Sequence, residues 1–462
     1  MTAGIATFAY VGLIVGLYWL DRERRTRTSL ALWIPTVWMA LASSRSVSQW
    51  LQMQPLNSSA DLTQGSPMDA AVYAGLLALG LIALLSRRNR VDRLLRANGS
   101  ILVFFLYCVI SIFWSDFPGV AFKRWIKAIG DFVMVLIILS DLDPTLAMER
   151  VLTRLAYVLI PLSTLFIKYY PELGRVYGEW DYKAYYTGVT TNKNTLGAIC
   201  LMSGLASVWC FIRAWKNREE PRRVQRLIAY GMVIFIVLWL FELADSMTSF
   251  STFLLALPVL FFADNRTNRS RTAKVHILVI AAIGLALFAE FLAPSLLSLV
   301  HRSATLTDRT DVWALALSLR DSSLIGSGFE SFWLGPRLAK IWSVFKWGPM
   351  ETHNGYLEIF LQLGWVGLAL LGVVIATGYR TIIGDWRRNR PTASLMLAYF
   401  VVGMIYNLTE AAFFRMMAPV WIIMLLALTN VPAVPARQIT RAATEDTFAS
   451  VDKPEWELLP LP

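Results

Sequence analysis

Apolar runs of about 17 residues, separated by short polar connections, recur along the chain as far as residue 431. A helix rises ~1.5 Å per residue, so each run approaches the length that crosses the hydrocarbon core of a bilayer. The pattern predicts thirteen spans, near 4–20, 28–44, 69–85, 98–114, 124–140, 151–167, 194–212, 227–243, 247–263, 275–299, 353–375, 391–408 and 416–431. The corner from Glu242 to Ser249 is the least marked turn among them. In lipid every backbone N–H and C=O must pair within the protein, which makes the fold class an all-α polytopic membrane bundle covering 1–431. Residues 432–462, with Pro432, Pro435, Pro454, Pro460 and Pro462, read as a disordered tail.

Composition agrees with this: 56% of residues are hydrophobic and 16% charged, with a mean hydropathy of +0.52. Charge then orients the bundle. The connections 21–27, 86–96, 141–154, 213–226, 264–274 and 380–390 carry 25 Lys and Arg, and the alternate short connections carry 9. The positive-inside rule puts the basic set in the cytoplasm, with the N-terminus and the 300–352 loop outside and the C-terminal tail inside. Asp21-Arg-Glu-Arg-Arg follows the first span and no basic stretch precedes it, so that span reads as an uncleaved helix. Cys108, Cys200 and Cys210 all fall in spans, which argues against a disulfide framework or cysteine metal cluster. The net charge of +11 suits anionic lipid; no basic segment has the aromatic interleaving of a nucleic-acid channel.

The 300–352 loop holds the sharpest chemical signals. From Asp308 to Arg320 the apolar residues Val312, Leu315, Ala316 and Leu319 recur at amphipathic helical spacing, with Thr307 or Asp308 as a cap. Arg309 then stands in the first turn, where the helix dipole disfavours a cation unless an anion is bound there too. Pairing with Asp308 or Asp311 as a solvated surface group is the plainer alternative. His353 opens a very apolar span after Glu351 and Thr352, where a helix N-terminus would keep the ring neutral and able to accept a proton. An interfacial helix cap is the alternative there. His301, at the other edge of the loop, has no comparable neighbours.

A second loop, 168–193, combines Arg175, Tyr185, Tyr186, Asn192, Lys193 and Asn194. Aromatic faces and amide side chains suit sugars and Lys193 suits a phosphate, although an interfacial aromatic belt with snorkelling lysines has the same composition. Gly326-Ser-Gly328 lacks the third glycine of a nucleotide loop and predicts a turn. Asp131, Glu242, Glu290, Glu358 and Glu410 lie in or near spans without paired spacing, and no His/Cys/carboxylate cluster suggests a metal. The chain shows no internal repeat or matched pair of broken spans of the kind that marks a lipid-linked-sugar transporter.

Four segments, taken in order, resemble the family of O-antigen ligases and exopolysaccharide polymerases. They are Gly-Arg175-Val-Tyr through Tyr-Thr-Gly188-Val-Thr-Thr-Asn-Lys193-Asn194-Thr-Leu-Gly197; Arg309-Thr-Asp-Val-Trp313; Gly326-Ser-Gly328-Phe-Glu-Ser-Phe-Trp; and Glu351-Thr-His353-Asn-Gly-Tyr-Leu-Glu-Ile. The start, Leu-Ala-Leu-Trp-Ile-Pro to Ser-Ser-Arg45-Ser-Val-Ser-Gln-Trp, is similar to the polymerase subgroup. The resemblance implies a type C glycosyltransferase-like bundle in the bacterial inner membrane. Its substrate would be an oligosaccharide on polyprenyl diphosphate, with no cofactor or metal, and with a flippase and chain-length regulator as partner proteins. A ligase passing the glycan to a lipid A core is the neighbouring activity. The resemblance implies Arg309 and His353 as catalytic residues and Arg175, Lys193, Asn192, Asn194, Trp313, Asn354 and Tyr356 as substrate-binding ones. Family members often carry a basic residue where Met247 stands, so a second cation would have to be Arg175, Lys193 or Arg124.

Overall fold

A computed structural model describes residues 2–22, 28–52, 65–178, 182–219, 222–264, 272–292, 306–415 and 417–432. His301, the first part of the long loop, the end of the 275–299 span and residues 433–462 of the expected tail lie outside them. The described part of each of the thirteen predicted apolar segments falls mainly on helix. Among the described residues eight helices have the length and hydropathy of a single membrane pass, and nine do if Arg88–Ala97 and Gly99–Trp114, bent by 83°, count as one. Leu30–Ala42, Ala393–Thr409 and Pro419–Leu428 are apolar but shorter, so thirteen crossings are not established by length and composition. The protein is a polytopic helical membrane protein. The 168–193 loop departs from the all-α expectation by forming a small antiparallel ribbon, Arg175–Tyr177 against Ala184–Tyr186.

Small residues decide which helix sits at the centre. Lys193–Lys216 is buried over 78% of its most apolar window, whereas Ala3–Leu20 is buried over 11%. A Cβ at Gly197 would stand 2.6 Å from Ser249 Oγ, and one at Gly204 would stand 2.9 Å from Phe253. Glycine there lets the Met247–Asp264 helix approach closely enough for van der Waals packing, the main adhesive between helices in lipid. The uncertain corner is real: Asp245 adopts φ 45°, and the next helix starts at Met247.

Two groups of side-chain bridges among the described residues each join connections of one set. Asp21, Glu149, Arg213 and Arg226 meet at one end, and His353, Glu410 and Asn194 meet among members of the other set. That is the alternation the charge counts assume.

The long loop does not simply lie outside the bundle. Its amphipathic helix, Leu306–Ser318, begins ahead of the expected caps and packs Val312 and Ala316 against Phe332, Trp333, Leu338, Ile341 and Leu361. Between this helix and the loop's second one, Gly335–Val344, the chain runs into the bundle beside a break in the Gly355–Arg387 helix at Gly364, φ 64° and ψ −162°. Ser327 and Gly328 donate backbone N–H groups to the carbonyls of Leu361 and Gln362, at 3.1 and 2.8 Å. Trp365 and Val366 donate to Ser323 and Leu324, at 2.9 and 3.1 Å. The loop therefore satisfies groups that the broken helix would leave unpaired, a severe cost away from water. The Gly326–Gly328 turn is seen as expected, with both glycines at positive φ.

Candidate active site

Glutamates 330, 351, 358 and 410 converge where the long loop meets the turn between Ala393–Thr409 and Pro419–Leu428. Asn407 builds that turn, its Oδ1 accepting from the backbone N–H groups of Ala412 and Phe413 at 2.9 and 3.0 Å. Phe414 follows at φ 59°, a conformation a bulky residue adopts only when packing enforces it. Here it stacks on Phe104, with ring centroids 4.0 Å apart, and packs at a tilt against Trp421, at 4.2 Å. The outcome is that Arg415 points inward. Its Nη1 pairs with Glu351, and other guanidinium nitrogens lie 3.9 Å from Glu330 and Glu358.

Glu358 holds the other wall. It accepts from the Thr352 N–H at 2.6 Å, from Trp333 Nε1 at 3.0 Å and from Gln362 Nε2 at 3.1 Å. Asn354 caps the Gly355–Arg387 helix, accepting from the N–H groups of Tyr356 and Leu357 at 3.1 and 3.0 Å. His353 is thereby displaced from capping. It sits at φ 52°, with Nδ1 between Glu351 and Glu410. A Cβ at residue 355 would fall 2.1 Å from Asn407 Oδ1, so only glycine permits this approach.

These contacts form one string: Arg124, Glu330, Arg415, Glu351, His353, Glu410 and Asn194. Arg124 donates to the Glu330 carbonyl at 2.6 Å and lies 3.5 Å from its carboxylate. Asn194 Nδ2 donates to Glu410 Oε1 at 2.9 Å. Asn192, Lys193, Asn194, Glu351, His353 and Arg415 line a cavity of about 460 Å³.

Electrostatics corrects one expectation. Burial pushes the imidazole down, but its hydrogen bonds to Glu351 and Glu410 outweigh this and lift it from 6.5 to about 9. Burial likewise raises Glu351, yet Arg415 and His353 bring it down to about 2. Burial lowers Arg415, while Glu351, Glu358 and Glu330 more than compensate and keep it charged. The expected neutral ring rested on the helix dipole, worth typically 0.3–1 kcal/mol. Two touching carboxylates overrule it. The two carboxylates favour the charged ring at neutral pH.

A second correction concerns the acids. Glu358 and Glu410 are not scattered but meet at Arg415 and His353, and Glu290 lies within Coulombic reach of Glu410. Glu351, His353 and Glu410 also place one ligand atom each within 4.8 Å of one another, a grouping that could hold a metal ion. The spacing in sequence gave no sign of this cluster. Its chemistry suits a proton better: Nδ1 stands 3.0 and 3.1 Å from the carboxylates, and Arg415 already occupies Glu351. A dication in that place would have to displace the shared proton beside a guanidinium.

The remaining expected site residues divide. Lys193 lines the cavity and stands 3.7 Å from Asp245, and Asn192 caps its helix by accepting from the Thr195 N–H at 2.8 Å. Arg175 is turned away, donating to the Ile167 carbonyl at 2.8 and 3.0 Å under the ribbon. Tyr356 donates to the Met404 carbonyl at 3.1 Å and supports the helix pair rather than lining the cavity. Trp313 Nε1 donates to the Thr352 carbonyl at 2.6 Å, which ties the loop helix to the residue before His353. Arg309, one turn earlier on the same face, lies 3.6 Å from Glu290. Sequence reasoning missed Arg415, Glu410 as a partner of His353, and Trp347, whose ring stacks near His353 at 6.4 Å. One signal was available: Glu410 and Arg415 are the only charged residues between Arg390 and Arg437.

No protein-family model matches the chain. It is similar to the exopolysaccharide production protein ExoQ of Rhizobium meliloti (strain 1021), 24% identical over 291 residues that cover 60% of this chain and 64% of the relative. The alignment thus spans less than two thirds of that relative's length. The chain is a multispan helical membrane protein with a likeness to a protein of exopolysaccharide production.

Proposed function

We propose that this protein is a polymerase that extends glycan repeat units carried on polyprenyl diphosphate, at the periplasmic face of a bacterial inner membrane. The observation that carries the reading is the charged His353 ring fixed beside Arg415 at a cavity among helices. The similarity to an exopolysaccharide production protein and the basic set of connections support it. In this reading the N-terminus is periplasmic, the C-terminus is cytoplasmic, and a flippase and a chain-length regulator act beside the enzyme.

The donor's diphosphate enters the cavity with its lipid tail between helices. An acceptor sugar hydroxyl attacks the anomeric carbon, the bond from that carbon to the diphosphate oxygen breaks, and configuration inverts. His353 uses Nδ1 on the two carboxylates, which leaves Nε2–H for a diphosphate oxygen. Arg415 and Arg309 spread the charge that develops on the leaving group. A ring with a pKa of about 9 is neutral in roughly one molecule in a hundred at pH 7. That penalty would cancel the lower end of the ~10²–10⁴ that a general base supplies. The acceptor's proton therefore passes to Glu410, the carboxylate beside His353, since Glu351 is held by Arg415. In this reading Lys193, Asn192 and Asn194 meet sugar hydroxyls or phosphate. Diphosphate is already a competent leaving group, so positioning and charge outweigh the base.

Purified protein given synthetic lipid-diphosphate repeat units, without nucleotide sugar, should yield long glycans still on diphosphate lipid. Transfer to a lipid A core with no elongation would make it a ligase. Movement of substrate across vesicles with no new glycosidic bond would make it a transporter and overturn the reading.

A further inference from the structure

A second cavity, of about 660 Å³, lies toward the other ends of two helices that border the first. Lys193–Lys216 lines the first cavity with Thr195 and Ala198 and the second with Arg213 and Lys216. Ala393–Thr409 runs the other way, with Ser394 at the second cavity and Tyr406 at the first. A helix of 24 residues separates them by roughly 25 Å.

Four cations face this cavity, Arg213, Lys216, Arg226 and Arg390, against the carboxylates of Glu149 and Asp264. Glu149 is shared: Arg213 reaches it at 2.6 Å, and Arg226 pairs with it as well as with Asp21 at 2.8 Å. Arg390 is 3.2 Å from Asp385. The two carboxylates behind the wall, Asp21 and Asp385, have further cations within Coulombic reach, Arg150 and Arg388. The positive excess of the lining therefore survives. Lys216, paired with Asp264, is half-exposed, and the side chain of Arg213 is 35% exposed, so both remain accessible.

Each of the four cations has a carboxylate partner, yet the lining keeps a positive excess around a polar void, which water or an anion can fill. A phosphate group offers compact negative charge and several acceptor oxygens to guanidinium forks and an ammonium. We propose that this cavity is a binding site for a phosphate-bearing anion, separate from the candidate active site. Two sources share that chemistry: a soluble phosphorylated metabolite and the headgroup of an anionic lipid. The cavity is built from the basic set of connections, the side on which anionic lipid attracts positive charge.

Full-length protein in nanodiscs of neutral lipid is titrated with inorganic pyrophosphate by calorimetry. In parallel, protein from anionic-lipid nanodiscs is analysed for retained lipid by native mass spectrometry. The variants are Lys216→Gln, Arg213→Gln and Lys216→Arg; Arg226 is kept, because Asp21 and Glu149 both depend on it. A soluble ligand predicts pyrophosphate binding that Lys216→Gln weakens at least tenfold and Lys216→Arg largely preserves. A lipid headgroup predicts no pyrophosphate heat that depends on Lys216, but anionic lipid retained by wild type and lost in both Gln variants. Pyrophosphate binding that the Gln variants leave unchanged belongs to the first cavity and, when those variants also retain anionic lipid as wild type does, overturns the proposal. So does the absence of both signals in wild type.

Discussion

His353 places a single ring nitrogen against two carboxylates, 3.0 Å from Glu351 Oε1 and 3.1 Å from Glu410 Oε2. The arrangement favours the charged ring. A histidine raised from 6.5 to about 9 contributes stability that is fully present below pH 6.5 and lost as pH rises through about 9. The contribution is on the order of 3 kcal/mol. Thermal unfolding followed from pH 6 to 10 should show that loss in wild type and not in His353→Ala. Glycan synthesis should decline over the same range. A rate that instead rises through pH 9 would identify the neutral ring as the base and reverse the assignment of His353.

Glu410→Gln removes one of the two carboxylates and keeps the shape. The imidazole should then titrate at lower pH, which histidine-selective NMR can follow, and the alkaline decline in rate should shift with it. If Glu410 also accepts the acceptor's proton, kcat should fall by ~10²–10⁴. A shifted profile with unchanged kcat would leave Glu410 as a positioning residue alone.

Arg415 offers a contrast between charge and shape. Arg415→Gln leaves Glu351, Glu330 and Glu358 without their common cation, and breaking such a pair typically costs about 3–5 kcal/mol. That variant should express poorly or melt early. Arg415→Lys should keep the charge and much of the fold, yet lose activity because an ammonium cannot reproduce the fork. Comparing melting temperature with polymer yield separates the two effects.

Arg309→Lys should likewise lose most activity with its helix in place, since Trp313 still anchors that helix to Thr352. Polymer of normal length from this variant would remove Arg309 from the mechanism. Chelation with EDTA should leave synthesis unchanged, because a charged His353 ring held by Glu351 and Glu410 competes with a dication for the same oxygens. A loss restored by one added divalent ion would make that trio a metal centre.

Hydropathy is a local property, and for that reason the described part of each predicted span lands mainly on helix. The small ribbon at Arg175–Tyr177 escaped notice because its two strands are only three residues each. Arg309 and His353 stood out as charged or titratable groups at the edge of apolar sequence. Arg415 did not: its meaning depends on Glu330, Glu351 and Glu358, which reach it from the loop and the next helix only after folding. The charge on His353 was hidden for the same reason, since Glu410 lies 57 residues away in sequence. Helix-end rules see the backbone of Gly355–Arg387 but not a carboxylate delivered by a neighbour.

The interruption at Gly364 carries a consequence for biogenesis. A translocon would release the Gly355–Arg387 segment with a gap in its ladder, and the donors and acceptors at that gap find their mates in Ser323, Leu324, Ser327 and Gly328, synthesised earlier. Those earlier residues must wait, unmatched, until the later helix arrives. Insertion and closure of the extramembrane segment are thus one event, and a chain truncated before residue 364 should be surrendered to membrane proteases rather than accumulate as a partial bundle.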